Sequence, residues 1–77
     1  MNVEIFGKDQ CPFCARAIAM AEETEGVNFV YNKLGKDFTR EELLEKFPKA
    51  RTFPQIIVDD KVVGGFVDFK EYIKDNV

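Results

Sequence analysis

The stretch Val3-Glu4-Ile5-Phe6-Gly7, continuing through Lys8-Asp9-Gln10 to Cys11-Pro12-Phe13-Cys14, decides the fold of this chain. Val3 to Phe6 reads as a short apolar strand ending at Gly7, and Cys11 to about Glu25 reads as a helix. In that second segment Ala15, Ala17, Ile18, Ala19, Met20 and Ala21 are strong helix formers or core residues, with no interior glycine or proline after the first position. Pro12 suits that first position because it has no N–H to lose and its fixed φ already fits a helix. Cys11 then falls at the N-cap, and cysteines at i and i+3 share one helix face. A cysteine pair therefore opens a helix directly after a strand.

The placement carries chemistry. A helix N-terminus presents unpaired backbone N–H groups and the positive end of the macrodipole, which favour a thiolate over a thiol. Cys11 is expected to be the nucleophile. Cys14, one turn further in, meets more packed surroundings and less water, and is expected to stay a thiol until it resolves an intermediate. Each unit by which the Cys11 pKa falls favours the thiolate by about 1.4 kcal/mol. Forming the disulfide forfeits that stabilisation, so the oxidised chain should be a competent oxidant.

Two bland readings compete. A structural disulfide closing a loop of about four residues would contribute only roughly 2 kcal/mol in the chain-entropy view, so it would be a poor staple. A zinc site wants four ligands, and the chain holds two cysteines and no histidine. No metal is expected there.

With 77 residues at 45% hydrophobic, the chain suits one domain spanning residues 1–77. Eight phenylalanines supply much of the core volume, which leaves the cysteines free for chemistry. So few cysteines also argue against a secreted disulfide scaffold. There is no charged-then-apolar leader and no apolar run long enough to span a membrane, so a soluble cytoplasmic protein is expected. The net charge of −3, without a basic stripe carrying interleaved aromatics, argues against nucleic-acid binding. The acidic stretches Glu22 to Glu25 and Glu41 to Glu45 read as solvated helix faces. Against this background the basic residues Lys8, three before Cys11, and Arg51, just before Thr52, stand out.

Beyond the first helix, Gly26 is a helix stop, and Val27, Phe29 and Tyr31 alternate with Asn28, Val30 and Asn32 as in a half-buried strand. That completes a βαβ unit with parallel strands. Lys33 to Asp37 is a polar loop. Thr39 and Glu42 form a capping box for a helix with Leu43, Leu44 and Phe47 inward, and Pro48 ends it. Gln55 to Val58 is a strand, Asp59 to Lys61 a turn, and Val62 with Val63 a returning strand. Adjacent acids such as Asp59 and Asp60 are usual in turns and are not read as a metal pair. Phe66, Phe69, Tyr72 and Ile73 recur at helical spacing and give a last helix. No repeat, linker or low-complexity segment interrupts this order.

With Cys11 to Cys14 after a strand, Thr52-Phe53-Pro54 before the third strand and Gly64-Gly65 before the last helix, the sequence resembles the glutaredoxins, in particular the small dithiol bacterial and phage-type members. A C-x-x-C near a βαβ pattern indicates only the wider thioredoxin-like class, and the later motifs narrow it. The resemblance spans essentially the whole chain. It implies an α/β, thioredoxin-like fold of order βαβαββα, with a four-stranded mixed sheet flanked by helices.

The resemblance also implies a glutathione site. Pro54 matches a cis proline facing the cysteines, and X–Pro is the linkage where cis costs only about 0.5–1 kcal/mol. Thr52 and Phe53 precede it, and Phe53 offers its backbone to the cysteinyl part of glutathione, in the manner of strand addition. Gly64 and Gly65 permit positive φ and a close backbone approach. The γ-glutamyl end falls against Gly65, the backbone of Val67 and the acid Asp68, whose carboxylate suits an ammonium. Val67 stands where many members carry a hydroxyl or an acid, so only its N–H contributes. Phe13 replaces the commoner tyrosine and keeps a ring beside the sulfurs. Lys8 matches a basic residue that holds the glycyl carboxylate, and the second position, on the middle helix, aligns with Glu41, next to Arg40.

The expected activity is that of a glutathione-dependent dithiol disulfide oxidoreductase, with Cys11 attacking and Cys14 resolving. Pro12, Phe13 and Pro54 support the active site, and glutathione is a co-substrate, with no tightly bound cofactor. Partners implied by the resemblance are disulfide-containing proteins, including ribonucleotide reductase, met by a monomer. Two rivals remain: a thioredoxin-like donor to ribonucleotide reductase reduced by a flavoprotein reductase, and an iron–sulfur cluster-binding protein. Proline after the first cysteine is uncommon in either.

Overall fold

A computed structural model describes residues 1–76. Val77, included in the expected domain span, lies outside the described residues. The elements follow the expected order: β1 (Asn2–Gly7), α1 (Pro12–Glu23), β2 (Asn28–Lys33), α2 (Arg40–Lys46), β3 (Gln55–Val58), β4 (Lys61–Gly64) and α3 (Phe66–Asn76). The four strands form one mixed sheet in the order β2-β1-β3-β4. β1 runs parallel to β2, with Val3 opposite Phe29 and Ile5 opposite Tyr31, and antiparallel to β3, with Ile5 opposite Ile56. β4 closes an antiparallel hairpin on β3.

Strand alternation sorts the core into two layers. Val3 and Ile5 of β1 and Ile56 and Val58 of β3 point to one face, where they meet Ala17 and Ala21 of α1 and Phe69 of α3. Phe6 and Ile57 point to the other face and meet Phe38, Leu43 and Phe47 around α2. Small residues at Ala17 and Ala21 let α1 lie close to the sheet, and both are buried. On the other face the rings of Phe38 and Phe47 both stand edge-on to Phe6, at 5.2 and 5.5 Å between centroids. Such edge-to-face pairs contribute about 0.5–1.5 kcal/mol each beyond the area they bury. β3, covered on both faces, is buried along its whole length, which is why it reads as a continuous apolar run rather than an alternation.

Several local expectations hold in atomic detail. Thr39 Oγ1 accepts from Glu42 N at 3.2 Å while Glu42 Oε1 accepts from Thr39 N at 2.9 Å, so the capping box is complete. The β3–β4 turn is tighter than the sequence suggests: Asp59 and Asp60 alone form it, both with positive φ, and Lys61 already pairs with Val58. Two residues of positive φ match the right-handed twist of the strands they join. α1 stops before Gly26, at a C-cap on Thr24 whose hydroxyl donates to the Met20 carbonyl at 2.7 Å. Leu44 departs from expectation: a helix of seven residues has one narrow buried stripe, occupied by Leu43, so Leu44 is left exposed. No helix among the described residues is long and apolar enough to cross a membrane.

Because α2 is short, its capping box matters to the layer it covers. Replacing Thr39 with alanine should cost about 1 kcal/mol, which for a domain of this size lowers the melting midpoint by roughly 4–8 °C. Thr39→Ser should keep most of the stability, and equal midpoints for the alanine variant and the parent in a thermal melt would contradict the cap's contribution.

Candidate active site

The loop from Gly7 to Cys11 carries the chain from the end of β1 to the start of α1. Gln10 adopts left-handed backbone, φ 56°, which turns the chain so that Cys11 can take an extended conformation at the N-cap. A non-glycine residue there holds some strain, as residues beside functional sites often do. Cys11 Sγ accepts a hydrogen bond from Cys14 N at 3.1 Å, and the Cys11 carbonyl accepts from Ala15 N at 3.2 Å. Pro12 occupies the first helical position, as its missing N–H predicts. Cys11 and Cys14 are joined in a disulfide, with their Cα atoms 5.2 Å apart. The pair is asymmetric in solvent: Cys14 is 2% exposed, whereas Cys11 is only partly covered.

The three motifs that lie far apart in sequence converge around this pair. Phe13 is 49% exposed, its ring centroid 6.0 Å from that of Phe66 at the start of α3 and 5.2 Å from the Arg16 guanidinium. Lys8 places its ammonium 5.6 Å from the centroid of Phe53, within cation–π range. The Phe53–Pro54 peptide is cis, as the resemblance implies, and Pro54 is fully buried. Gln55, the one buried polar side chain among the described residues, donates from Nε2 to the Thr52 carbonyl at 2.8 Å, which ties down the loop that presents Phe53. A Cβ on Gly65 would lie 3.7 Å from the Pro54 carbonyl oxygen, so the cis-proline loop and the β4–α3 junction run side by side.

At that junction only Gly64 uses positive φ, 120°, where a Cβ would also come 2.6 Å from Asp68 Oδ2. Gly65 has ordinary backbone, so the expectation of positive φ at both glycines holds at one. Asp68 Oδ2 accepts from Gly65 N at 3.2 Å, so its carboxylate caps the first turn of α3. Val67 is 62% exposed beside it. Thr52 and Arg51 are exposed, and Arg40 of α2 lines a small cleft with them and with Phe53. The aligned residue Glu41 does not line that cleft. The helix phase turns its neighbour Arg40 toward the loop instead.

Two residues that sequence reading places only as strand members belong to the site. Gly7 ends β1 on the same face as Ile5, and Tyr31 of β2 lies opposite Ile5. The position that a Cβ on Gly7 would take is 2.5 Å from the Tyr31 hydroxyl oxygen and 2.9 Å from Cys14 Sγ. The empty side chain of Gly7 thus makes room for both. Tyr31 donates to the Lys8 carbonyl at 3.3 Å, and Lys33 Nζ pairs with Asp9 at 3.0 Å, so the end of β2 holds the loop that leads into Cys11. An open cavity of about 490 Å³ beside the disulfide is lined by Lys8, Asp9, Cys11, Cys14, Ile18 and Tyr31. Finding these roles from sequence would need the β1–β2 register, which alternation alone does not supply.

The crowding at Gly7 is testable. Gly7→Ala puts a methyl into space already claimed by a phenol and a sulfur, and overpacking of this kind costs about 1–3 kcal/mol. Urea unfolding should show that loss, and the rate at which a small thiol opens the disulfide should change with it. A variant with unaltered stability and opening rate would refute the account of this glycine.

Comparison with known proteins agrees with the chemistry that the site geometry suggests. The glutaredoxin family model matches residues 3–63. Glutaredoxin 1 of Escherichia coli is 37% identical over 83 residues, covering 100% of this chain and 98% of that protein. The reduced Escherichia coli glutaredoxin superposes with a TM-score of 0.85 at 35% identity, over 99% of this chain and 96% of that one. The oxidised form gives 0.82 at 36% identity, over 100% and 98%. The fold is thioredoxin-like, and a disulfide pair capping a helix after the first strand of such a fold is the apparatus of a thiol–disulfide oxidoreductase: the chain belongs to the glutaredoxin family.

Proposed function

We propose that the chain uses glutathione as its reductant and works on protein disulfides and on mixed disulfides of glutathione with proteins. The observation that carries this reading is the asymmetry of the pair, with a partly exposed Cys11 whose sulfur accepts from a backbone N–H at a helix N-terminus and a buried Cys14 behind it. Cys11, as thiolate, attacks the glutathione sulfur of a mixed disulfide. That S–S bond breaks, the protein thiolate leaves, and Cys11 carries the glutathionyl group. A second glutathione thiolate attacks that sulfur, leaves as glutathione disulfide, and restores the Cys11 thiolate. With a disulfide between proteins, Cys14 attacks the Cys11 sulfur of the intermediate, expels the partner's thiolate and closes the Cys11–Cys14 bond. Two glutathione molecules then supply the two electrons that reopen it.

For glutathione itself, the chemistry of the surrounding groups supports a division of roles. The backbone of Phe53 faces the cysteinyl part. The backbone N–H of Val67 and the junction at Gly65 suit the γ-glutamyl carboxylate, and Asp68 exchanges part of its capping role for the ligand ammonium. Lys8, with Arg40 in place of the aligned Glu41 and with Arg51 near Thr52, suits the glycyl carboxylate. The protein needs no tightly bound cofactor in this reading. It acts as a cytoplasmic monomer, and ribonucleotide reductase is among the disulfide proteins that it serves.

Single substitutions separate the two cysteines. In an assay coupled to glutathione reductase with a small glutathione mixed disulfide, Cys11→Ser should abolish turnover, while Cys14→Ser should retain it and lose only the reduction of protein disulfides. Loss in the second variant but not the first would reverse the roles. Robust reduction by a flavoprotein thioredoxin reductase, with none by glutathione, would replace the proposed electron source.

The basic cleft makes a further demand on the same assay. Arg40→Ala should raise KM for the mixed disulfide about fivefold with little change in kcat, since an exposed charge-assisted contact contributes roughly 1 kcal/mol and is made equally before and during reaction. Glu41→Ala should leave KM unchanged. The opposite ranking would return the contact to Glu41's position.

A further inference from the structure

Reduction of the disulfide leaves a charge where the fold is least suited to hold one. When an incoming thiolate bonds to Cys11 Sγ, the S–S electron pair departs on Cys14 Sγ, and Cys14 is 2% exposed. Burying an anion without a partner is unfavourable, so a buried leaving thiolate needs a donor. The backbone N–H of Cys14 already serves Cys11 Sγ.

Tyr31 is placed to supply that donor. Its hydroxyl oxygen and Cys14 Sγ flank the same vacancy above Gly7, 2.5 and 2.9 Å from the point where a Cβ would sit. Its present partner, the Lys8 carbonyl, lies at 3.3 Å, long for an O–H···O bond, whose usual length is about 2.7–2.8 Å. A hydroxyl can redirect its hydrogen by rotation about one bond, and a sulfur freed from its disulfide turns about χ1. Burial raises the Tyr31 pKa from 10.0, the Asp9 carboxylate raises it further and the Lys33 ammonium opposes them, so the phenol keeps its proton throughout the neutral range. Asp9 and Lys33 are paired with each other, and the Lys8 ammonium stands over Phe53.

We propose that the Tyr31 hydroxyl donates a hydrogen bond to Cys14 Sγ when the Cys11–Cys14 disulfide opens, making Tyr31 a catalytic residue for the leaving and returning thiolate of Cys14. No proton is transferred: the phenol keeps its hydrogen, the sulfur keeps the electron pair, and solvent protonates the sulfur later. On the return step the same bond holds a larger fraction of Cys14 as the thiolate that attacks Cys11. This rests on the reading of Cys11 as the attacked sulfur and Cys14 as its partner, but not on glutathione.

The test uses the Cys11→Ser protein, in which Cys14 is the only thiol, and reads the Cys14 pKa from thiolate absorbance and from the pH dependence of alkylation by iodoacetamide. Adding Y31F should raise the midpoint by about one unit, a tenfold loss of thiolate at neutral pH. Phenylalanine keeps the ring, so a purely packing role for Tyr31 predicts equal midpoints, and equal midpoints overturn the proposal. A second measurement needs no change at Tyr31: in Cys11→Ser labelled with 13C-tyrosine, the Tyr31 Cζ resonance should shift with the midpoint of Cys14. A resonance that ignores that titration overturns the proposal even if Y31F is poorly folded. Neither readout involves glutathione, so failure of the coupled glutathione assay and failure here are separate results.

Discussion

The site depends on one constraint: the first turn of α1 must close with a sulfur, not an oxygen, as its N-cap. Helix N-caps are usually Ser, Thr, Asp or Asn because their oxygen accepts from the second or third N–H of the helix. Here Cys11 Sγ takes that place toward Cys14 N, while Pro12 removes one donor that would otherwise need a partner. Sulfur is a weak acceptor as a thiol and a far stronger one as a thiolate, so the cap is most satisfied when Cys11 is ionised. The helix gains its best N-terminus when Cys11 is ionised, the form in which the proposed mechanism has it attack.

Holding that turn in place falls to the sheet and to small residues rather than to bulk. Ala17 and Ala21 bring α1 against Val3 and Ile5, and Gly7 extends the same close approach to the end of β1, where Cys14 Sγ arrives. On this face the bulk comes from α3, through Phe69, and not from α1, while Phe6, Phe38 and Phe47 pack the opposite face with α2. A packed layer on each side of β1 and β3 leaves the carboxyl end of β1 as a rigid platform. The cis-proline loop and the β4–α3 junction are joined to the residues flanking the disulfide through Lys8 with Phe53 and Phe13 with Phe66.

Much of this was legible in the chain because it is written at short range. Proline at a first helical position, a capping box at Thr39 and Glu42, and an apolar run at Gln55 to Val58 each state their structure within a few residues. The cysteine spacing states the chemistry in the same way. What escaped depends on through-space placement. Gly7 looks like a mere strand end until the β1–β2 register sets Tyr31 beside it, and Arg40 is indistinguishable from Glu41 until the helix phase of α2 is fixed. Leu44 escaped because apolar character alone cannot say which residues of a seven-residue helix face inward. Gly65 escaped for the opposite reason: two adjacent glycines suggest two unusual conformations, whereas only Gly64 adopts one.

The two cysteines sit in opposed environments, and the disulfide reaction moves charge between them. Cys11 stands at a helix end, where an anion is favoured, and is partly open to solvent, whereas Cys14 is buried one turn further in. Opening the disulfide by attack at Cys11 places the new charge on the sulfur less able to bear it, and closing it draws on that same sulfur as nucleophile. A buried thiolate without a donor is unfavourable, and a poorly stabilised thiolate is a poorer leaving group. A neutral donor suits this position better than a cation. A cation would stabilise the Cys14 thiolate at all times and compete with Cys11 for ionisation, whereas a protonated phenol donates most strongly while the sulfur is charged and can return to a neutral acceptor such as the Lys8 carbonyl afterwards. The charges that bear on this phenol, Asp9 and Lys33, pair with each other, and the Tyr31 hydroxyl keeps its proton as a donor across the pH range in which thiols exchange.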